Sequence, residues 1–323
     1  MKEEILEQYR AVRHRGGGLF DFSGRGLTEV SGGEAEMFLD GLITNGIKAL
    51  PEGQWMRAAF PNAQGRLLAV VRVGKIGGKF YFDTEKATAG AILKNLERFT
   101  LAGDFHVRDL SEEFVCLSLQ GKGISDLGFR ISDSDKKIFE IEFAGEKLIA
   151  LSDPDIGEEG FYFYVPANIG DDLKSHLREM GVRDISAEAF EVLRIEAGLP
   201  LYGVDMDETT VVPEIGLEDL ISYNKGCYIG QEVIARIHFR GHVAKRLSGL
   251  ILSEPSAAAD GLPGAELRSS DDKNAGKITS ACLSPELGKT IALGYVRYAF
   301  LEEDTQLKVG DLTATVKNLP IVT

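Results

Sequence analysis

At the start of the chain Ile5, Leu6, Tyr9 and Val12 recur at helical spacing among charges, which predicts an amphipathic helix over residues 1–15. Arg15-Gly16-Gly17-Gly18 ends it; no Gly-Lys-Ser/Thr follows, so the run reads as a loop and not as a phosphate cradle. Leu19–Ser23 and Gly26–Val30 read as strands with a glycine turn between them. Glu34–Leu42 then carries Ala35, Phe38, Leu39 and Leu42 on one helical face. Strands follow at Trp55–Phe60, Arg66–Val71 and Lys79–Phe82, the first two joined by the turn Asn62-Ala63-Gln64-Gly65. Thr88–Thr100 closes the series as a helix with Ile92, Leu93, Leu96 and Phe99 inward.

After Val107 the pattern restarts with a strand at Val115–Leu119, a helix at Gly123–Leu127 and strands at Phe139–Phe143, Lys147–Ser152 and Phe161–Pro166. A helix at Asp171–Glu179 completes it, and Ala187–Ala197 forms another. The order of elements repeats although the residues do not, which predicts two related α+β units and not a doubly wound sheet. From Arg246 onward short apolar strands (Leu250–Leu252, Gly276–Thr279, Ile291–Val296, Thr313–Val316) alternate with turns and no helices. That texture predicts a small β-barrel or sandwich, and the Ala- and Pro-rich stretch Glu254–Gly264 reads as a surface loop within it. The expected units are 1–110, 111–240 and 241–323.

Composition narrows the function classes. Cys116, Cys227 and Cys282 are few, odd in number and far apart, with no Cys-x-x-Cys pair, which argues against a disulfide framework or an intrinsic metal centre and fits a reducing compartment. No apolar run reaches the length of a membrane span, and the N-terminus Met1-Lys2-Glu3-Glu4 has no secretory pattern, so the expectation is a cytoplasmic protein. A net charge of −14 weighs against nucleic-acid and anionic-membrane partners. One segment opposes that average: Lys225, Arg236, Arg240, Lys245 and Arg246 stand against Glu232 alone, a local +4, with His238 and His242 among them. This basic island suits an anionic ligand or partner, and equally a solvated face.

The chemistry is densest in Lys225-Gly226-Cys227-Tyr228-Ile229-Gly230-Gln231-Glu232, continuing to Arg236. Its glycines permit positive φ and close approach, and Gln231 and Glu232 stand where a short helix would begin. A thiol ahead of a helix N-terminus and near an ammonium is placed for thiolate chemistry, making Cys227 and Lys225 the candidate catalytic pair. The competing reading is a Gly-rich joint with a small buried cysteine. Arg194 suits a bidentate carboxylate contact as well as a structural salt bridge. Arg194 and Glu196, two residues apart on a helix, do not share a face, so one is free to brace structure. Asn62 and Gln64 have the groups to read a heterocycle edge, though turn chemistry also explains them.

Taken together, Lys225-Gly226-Cys227-Tyr228-x-Gly230-Gln231-Glu232-x-x-Ala235-Arg236 resembles the signature of the YgfZ-type folate-binding proteins, relatives of the glycine-cleavage aminomethyltransferase (T-protein). Leu193-Arg194-x-Glu196-x-Gly198-x-Pro200-x-Tyr202-Gly203-x-Asp205 with Pro213-Glu214 is similar to the segment before that signature, and Phe20-Asp21-x-Ser23 to the family's opening. Thr279-Ser280, Ser284-Pro285 and Ile291–Val296 resemble its barrel, so the likeness spans nearly the whole chain.

The resemblance implies an aminomethyltransferase-like α+β fold, two units plus a C-terminal barrel around a pocket for tetrahydrofolate or another reduced folate. It implies iron–sulfur enzymes or cluster carriers as partners, with Cys227 as the functional residue and Arg194, Glu196, Tyr202, Asn62, Gln64 and Tyr162 as folate-site candidates. Two positions depart from the aminomethyltransferase pattern. The aspartate of the strand after the glycine turn falls near Leu68 or Ala69, and the pterin-gripping glutamate of Gly-Glu-x-Gly-aromatic-Glu falls on Tyr162 in Gly157-Glu158-Glu159-Gly160-Phe161-Tyr162. Three function classes follow: a folate-dependent accessory protein for iron–sulfur enzymes, which the motif favours; a folate-dependent one-carbon transferase; and a scaffold without folate.

Overall fold

The computed structural model describes the chain except residues 1, 15, 102, 128–135, 255–258 and 323. Met1 and Arg15 of the expected first helix, and part of the expected Glu254–Gly264 loop, therefore lie outside the described residues.

Trp55–Pro61, Leu67–Ile76, Lys79–Thr84, Gly26–Ser31 and His106–Asp109 form a five-stranded antiparallel sheet in that order. Helices Ala35–Leu42 and Lys86–Glu97 cover one face, burying Leu39, Leu42, Ile92 and Leu96 against Val71, Val73, Phe80 and Phe82. A second sheet of six strands runs Arg183–Asp184, Gly18–Asp21, Phe114–Gln120, Gly160–Pro166, Glu146–Ser152 and Ile138–Phe143. Leu173 and Leu177 of helix Gly170–Glu179 pack on it. The third unit is a closed six-stranded barrel ordered Lys245–Leu252, Lys289–Arg297, Asn274–Ser284, Glu266–Arg268, Gln306–Val309 and Leu312–Lys317. Closure leaves no unpaired strand edge.

One pairing departs from the sequence expectation. Gly18–Asp21 and Gly26–Ser31 do not form a hairpin; the first joins the second sheet and the second joins the first. The chain crosses between units there, and the leading helix Glu3–Arg13 packs against Ala187–Ala197. The glycine run serves this crossing: a Cβ on Gly18 would stand 2.6 Å from both Ile185 and Val12. Such proximity admits only glycine.

The two sheets meet through Trp55, whose indole N–H donates to the Ser152 carbonyl at 2.7 Å, and through buried Leu27, Ile138, Leu151 and Tyr164. Cys116 is buried in the same layer, where burial pushes its thiol well up; Cys282, buried between barrel and helix, is pushed up for the same reason.

Candidate functional site

A cavity of about 340 Å³ opens beside this junction, a size ordinary for small-molecule sites. Phe22, Tyr162 and Phe190 give it aromatic walls: Phe22 stacks on Tyr162 at 5.9 Å and meets Phe190 edge-on at 5.2 Å. Behind the walls lies a cluster of arginines and aspartates. Arg25 grips Asp83 through two bonds of 2.7 and 2.8 Å, and Arg72 reaches Asp83 at 2.6 Å and Asp153 at 2.7 Å. Arg57 also bonds Asp153 at 2.9 Å, and both Arg57 and Arg72 bond Asp155. The Tyr162 hydroxyl donates to Asp155 at 2.6 Å, and the Arg72 guanidinium lies 3.9 Å from the centre of its ring.

Electrostatics in the cluster follow from these contacts. Burial alone would raise Asp83, but the Arg25 and Arg72 charges prevail and hold it below the ordinary carboxylate value. Asp155 is held down by Arg72 and Arg57 against the same penalty, whereas burial and the neighbouring Asp155 charge push Asp153 up. Burial raises Tyr162 far above the ordinary phenol. Of the carboxylates that line the cavity, Asp155 is bound by arginines and Asp21 by Lys174 at 2.7 Å. Among the described residues the Glu85 carboxylate instead accepts only the Tyr202 backbone N–H, at 3.1 Å, and burial raises it above the usual glutamate value.

Of the residues singled out in sequence, Tyr162 lines this cavity and Tyr202 adjoins it through its backbone bond to Glu85. The others do not. Asn62 and Gln64 occupy an exposed turn in which Asn62 Oδ1 accepts from the backbone N–H groups of Gln64 and Arg66, so the turn takes up that oxygen, and neither residue lines the cavity. Arg194 is fully buried, and all its N–H groups are used: Glu191 takes two, Asp205, the Leu199 carbonyl and Ser280 one each. It binds carboxylates of its own chain, not one from a ligand. Glu196 is equally buried, accepting from Tyr9, Arg13 and Ser284. Both residues brace, tying helix Ala187–Ala197 to the barrel and to the leading helix.

Lys225 is also structural. Its ammonium donates to the carbonyls of Asp40, Ile43 and Asn45 at 2.6, 2.8 and 2.9 Å, capping the end of helix Ala35–Leu42. Three donors are its whole complement, so none remains for a thiolate. Gly230 takes φ +79°, and a Cβ there would stand 2.4 Å from the Asn62 carbonyl, so this glycine is a packing requirement. Helix Gln231–Arg240 begins directly after it. Among the three cysteines Cys227 is the exposed one, with exposed Ile229 near it, and it does not line the cavity. His238 stacks on Tyr223 and His242 on Tyr298, each ring pair 3.6 Å apart, so the two histidines serve separate contacts.

From the strand Leu67–Ile76 the cavity receives Val70 and Arg72, while Ala69 is buried in the first core and Leu68 packs at its edge. The strand therefore delivers no carboxylate. Arg25, Arg57, Arg72, Glu85 and Phe190 went unremarked in sequence, yet Arg57 and Arg72 carried a signal: each is a charge inside an apolar run of its strand.

The model of the GCVT N-terminal domain matches residues 1–225, and that of the glycine cleavage T-protein C-terminal barrel domain matches residues 245–321. An aminomethyltransferase of Thermoanaerobacter sp. (strain X514) is 27% identical over 99% of this chain and 87% of its own length. One from Caldanaerobacter subterraneus subsp. tengcongensis is 26% identical over 99% of this chain and 86% of its own. The crystal structure of glycine cleavage system aminomethyltransferase T from Bartonella henselae superposes with a TM-score of 0.87 at 24% identity, covering 98% of this chain and 89% of that one. The fold is accordingly the aminomethyltransferase-like α+β fold with its C-terminal barrel. Among the described residues no helix is long and apolar enough to cross a membrane, and no group of three or more metal-ligating side chains is found.

Proposed function

The chain belongs to the glycine-cleavage T-protein family, and from that premise we propose that it binds a reduced folate, tetrahydrofolate or a one-carbon derivative, between its sheets and serves one-carbon chemistry. The cavity itself carries the reading. The aromatic wall of Phe22, Phe190 and Tyr162 suits a flat heterocycle. The bound arginines and aspartates make the polar floor rigid, which lowers the ordering cost of binding. Aminomethyltransferase relatives over nearly the full chain support the same class.

With Leu68 and Ala69 where a carboxylate would assist transfer, proton exchange in the cavity falls to Glu85, the lining carboxylate without a cation partner among the described residues. Calorimetric titration with a reduced folate tests the site. Micromolar affinity, about −8 kcal/mol, is expected for the wild type. Val70→Trp, which fills the cavity from its wall, is expected to abolish the heat. Millimolar folate without heat in the wild type would defeat the reading. Turnover of an aminomethyl or methyl donor, lost in Glu85→Gln while folate affinity persists, would identify a transferase.

Binding without turnover favours a second reading, an accessory protein for iron–sulfur enzymes or cluster carriers acting through Cys227. The exposure of that thiol, outside the cavity, supports it. One thiolate suffices as a single ligand to a shared cluster or as the nucleophile in exchange. A Cys227→Ala protein that still restores iron–sulfur enzyme activity to cells lacking the wild type would remove the cysteine mechanism.

A further inference from the structure

A second cavity, of about 600 Å³, lies on the outer wall of the barrel under the segment that holds Asp205, Asp207 and Thr210. Three adjacent barrel strands line it. Lys245 pairs directly with Arg297, and Lys277 directly with Tyr295, across Lys289–Arg297. Residues 295 and 297 are two apart on that strand, so all four side chains share one face. Directly opposed side chains on neighbouring strands stand about 5 Å apart at Cβ, and like charges so placed repel. The barrel thus sets Lys245 against Arg297 with Lys277 one step along.

No carboxylate of the described residues forms an ion pair with any of the three. Asp205 is taken by Arg194 at 2.8 Å and Glu266 by Arg268 at 2.7 Å, while Asp207 accepts from the Thr209 hydroxyl and backbone. Asp207 and Glu214 feel the Lys245 charge from beyond contact distance. Arg297 has one neutral partner, Asn274 at 2.9 Å, and Lys245 lies over the Tyr295 ring at 4.5 Å. Tyr295 lines the cavity and is 7% exposed, with its hydroxyl buried beside the Thr210 side chain.

We propose that this cavity binds a small, multiply charged oxyanion through Lys245, Lys277 and Arg297. Ammonium and guanidinium groups bind carboxylate and phosphate oxygens alike, and the spread of the cations over two positions along the strands favours more than one anionic group. The site claims one cation of the basic island, Lys245, and joins it to two others distant in sequence. It does not rest on the folate reading.

The test is calorimetric titration of the full chain with pyrophosphate and, separately, citrate. The wild type is set beside a Lys277→Gln, Arg297→Gln double variant, both changes at exposed positions. At least one anion is expected to bind, more weakly as salt rises, and at least about tenfold more weakly in the double variant, as removal of two charged contacts requires. Heat from pyrophosphate alone assigns a phosphorylated ligand; heat from citrate alone assigns a polycarboxylate. Absence of heat with both at millimolar concentration, or equal affinity in the double variant, overturns the proposal. Unchanged reduced-folate binding in the same variant keeps this result separate from the central cavity.

Discussion

In the cavity between the sheets Arg25, Arg57 and Arg72 each pair with aspartates of the same chain, whereas on the barrel wall Lys245, Lys277 and Arg297 form no ion pair among the described residues. The contrast separates two uses of positive charge. Buried arginines already matched to carboxylates are framework, fixing the walls around a ligand. Cations left facing one another without a counter-charge await one. Local charge in a sequence does not distinguish these uses; the position of the carboxylates does.

Several substitutions sharpen this difference. Arg72→Met is expected to have the largest effect, since it leaves Asp83, Asp153 and Asp155 buried with fewer cations; about 3–5 kcal/mol of stability should be lost in urea unfolding. A loss below about 1 kcal/mol would mean that the cluster is not framework. Arg194→Leu should cost about as much, by stranding Asp205, with little effect on folate affinity. A selective loss of folate binding in a protein of wild-type stability would return Arg194 to the ligand. Lys225→Met leaves three carbonyls without a donor at a helix end and should cost about 1–3 kcal/mol, read as a lowered midpoint.

The acid limb of the stability curve gives a smaller effect. Asp83 is held below its unfolded pKa, so its contribution is present above the unfolded value and disappears as pH falls through the folded one. Thermal unfolding across that acidic window should show a shallower slope in Asp83→Asn than in the wild type; parallel slopes would show that Asp83 carries no linkage. The smallest effect is expected on the barrel wall. Without ligand, Lys277→Gln with Arg297→Gln should leave stability within about 0.5 kcal/mol or raise it slightly, because it relieves repulsion. A marked loss there would make those cations structural and erase the contrast.

Much of the fold was legible along the chain because apolar spacing is a local property. Ala187–Ala197 and the strands around Phe161, Ile291 and Thr313 stand where alternation and helical period put them. The short strands His106–Asp109 and Glu266–Arg268 escaped because neither carries an apolar alternation. The candidate site was less legible. Lys225 and Cys227 are two residues apart, but one ammonium turns inward to a helix end while the thiol stays in solvent. Asn62 and Gln64 have suitable groups, but the turn that they build takes up the Asn62 oxygen and is no part of the cavity lining.

By itself the sequence determined the elements, the two α+β units with a barrel behind them, and the resemblance that led to the family, since these depend on residue type and spacing. Tertiary structure alone decided which charges cancel. Arg72 meets Asp153 and Asp155 across about eighty residues, Arg194 meets Ser280 across 86, and Lys245 finds Arg297 instead of a carboxylate. Pairing energies depend on distance and burial, and the chain sets both only when its sheets close on one another.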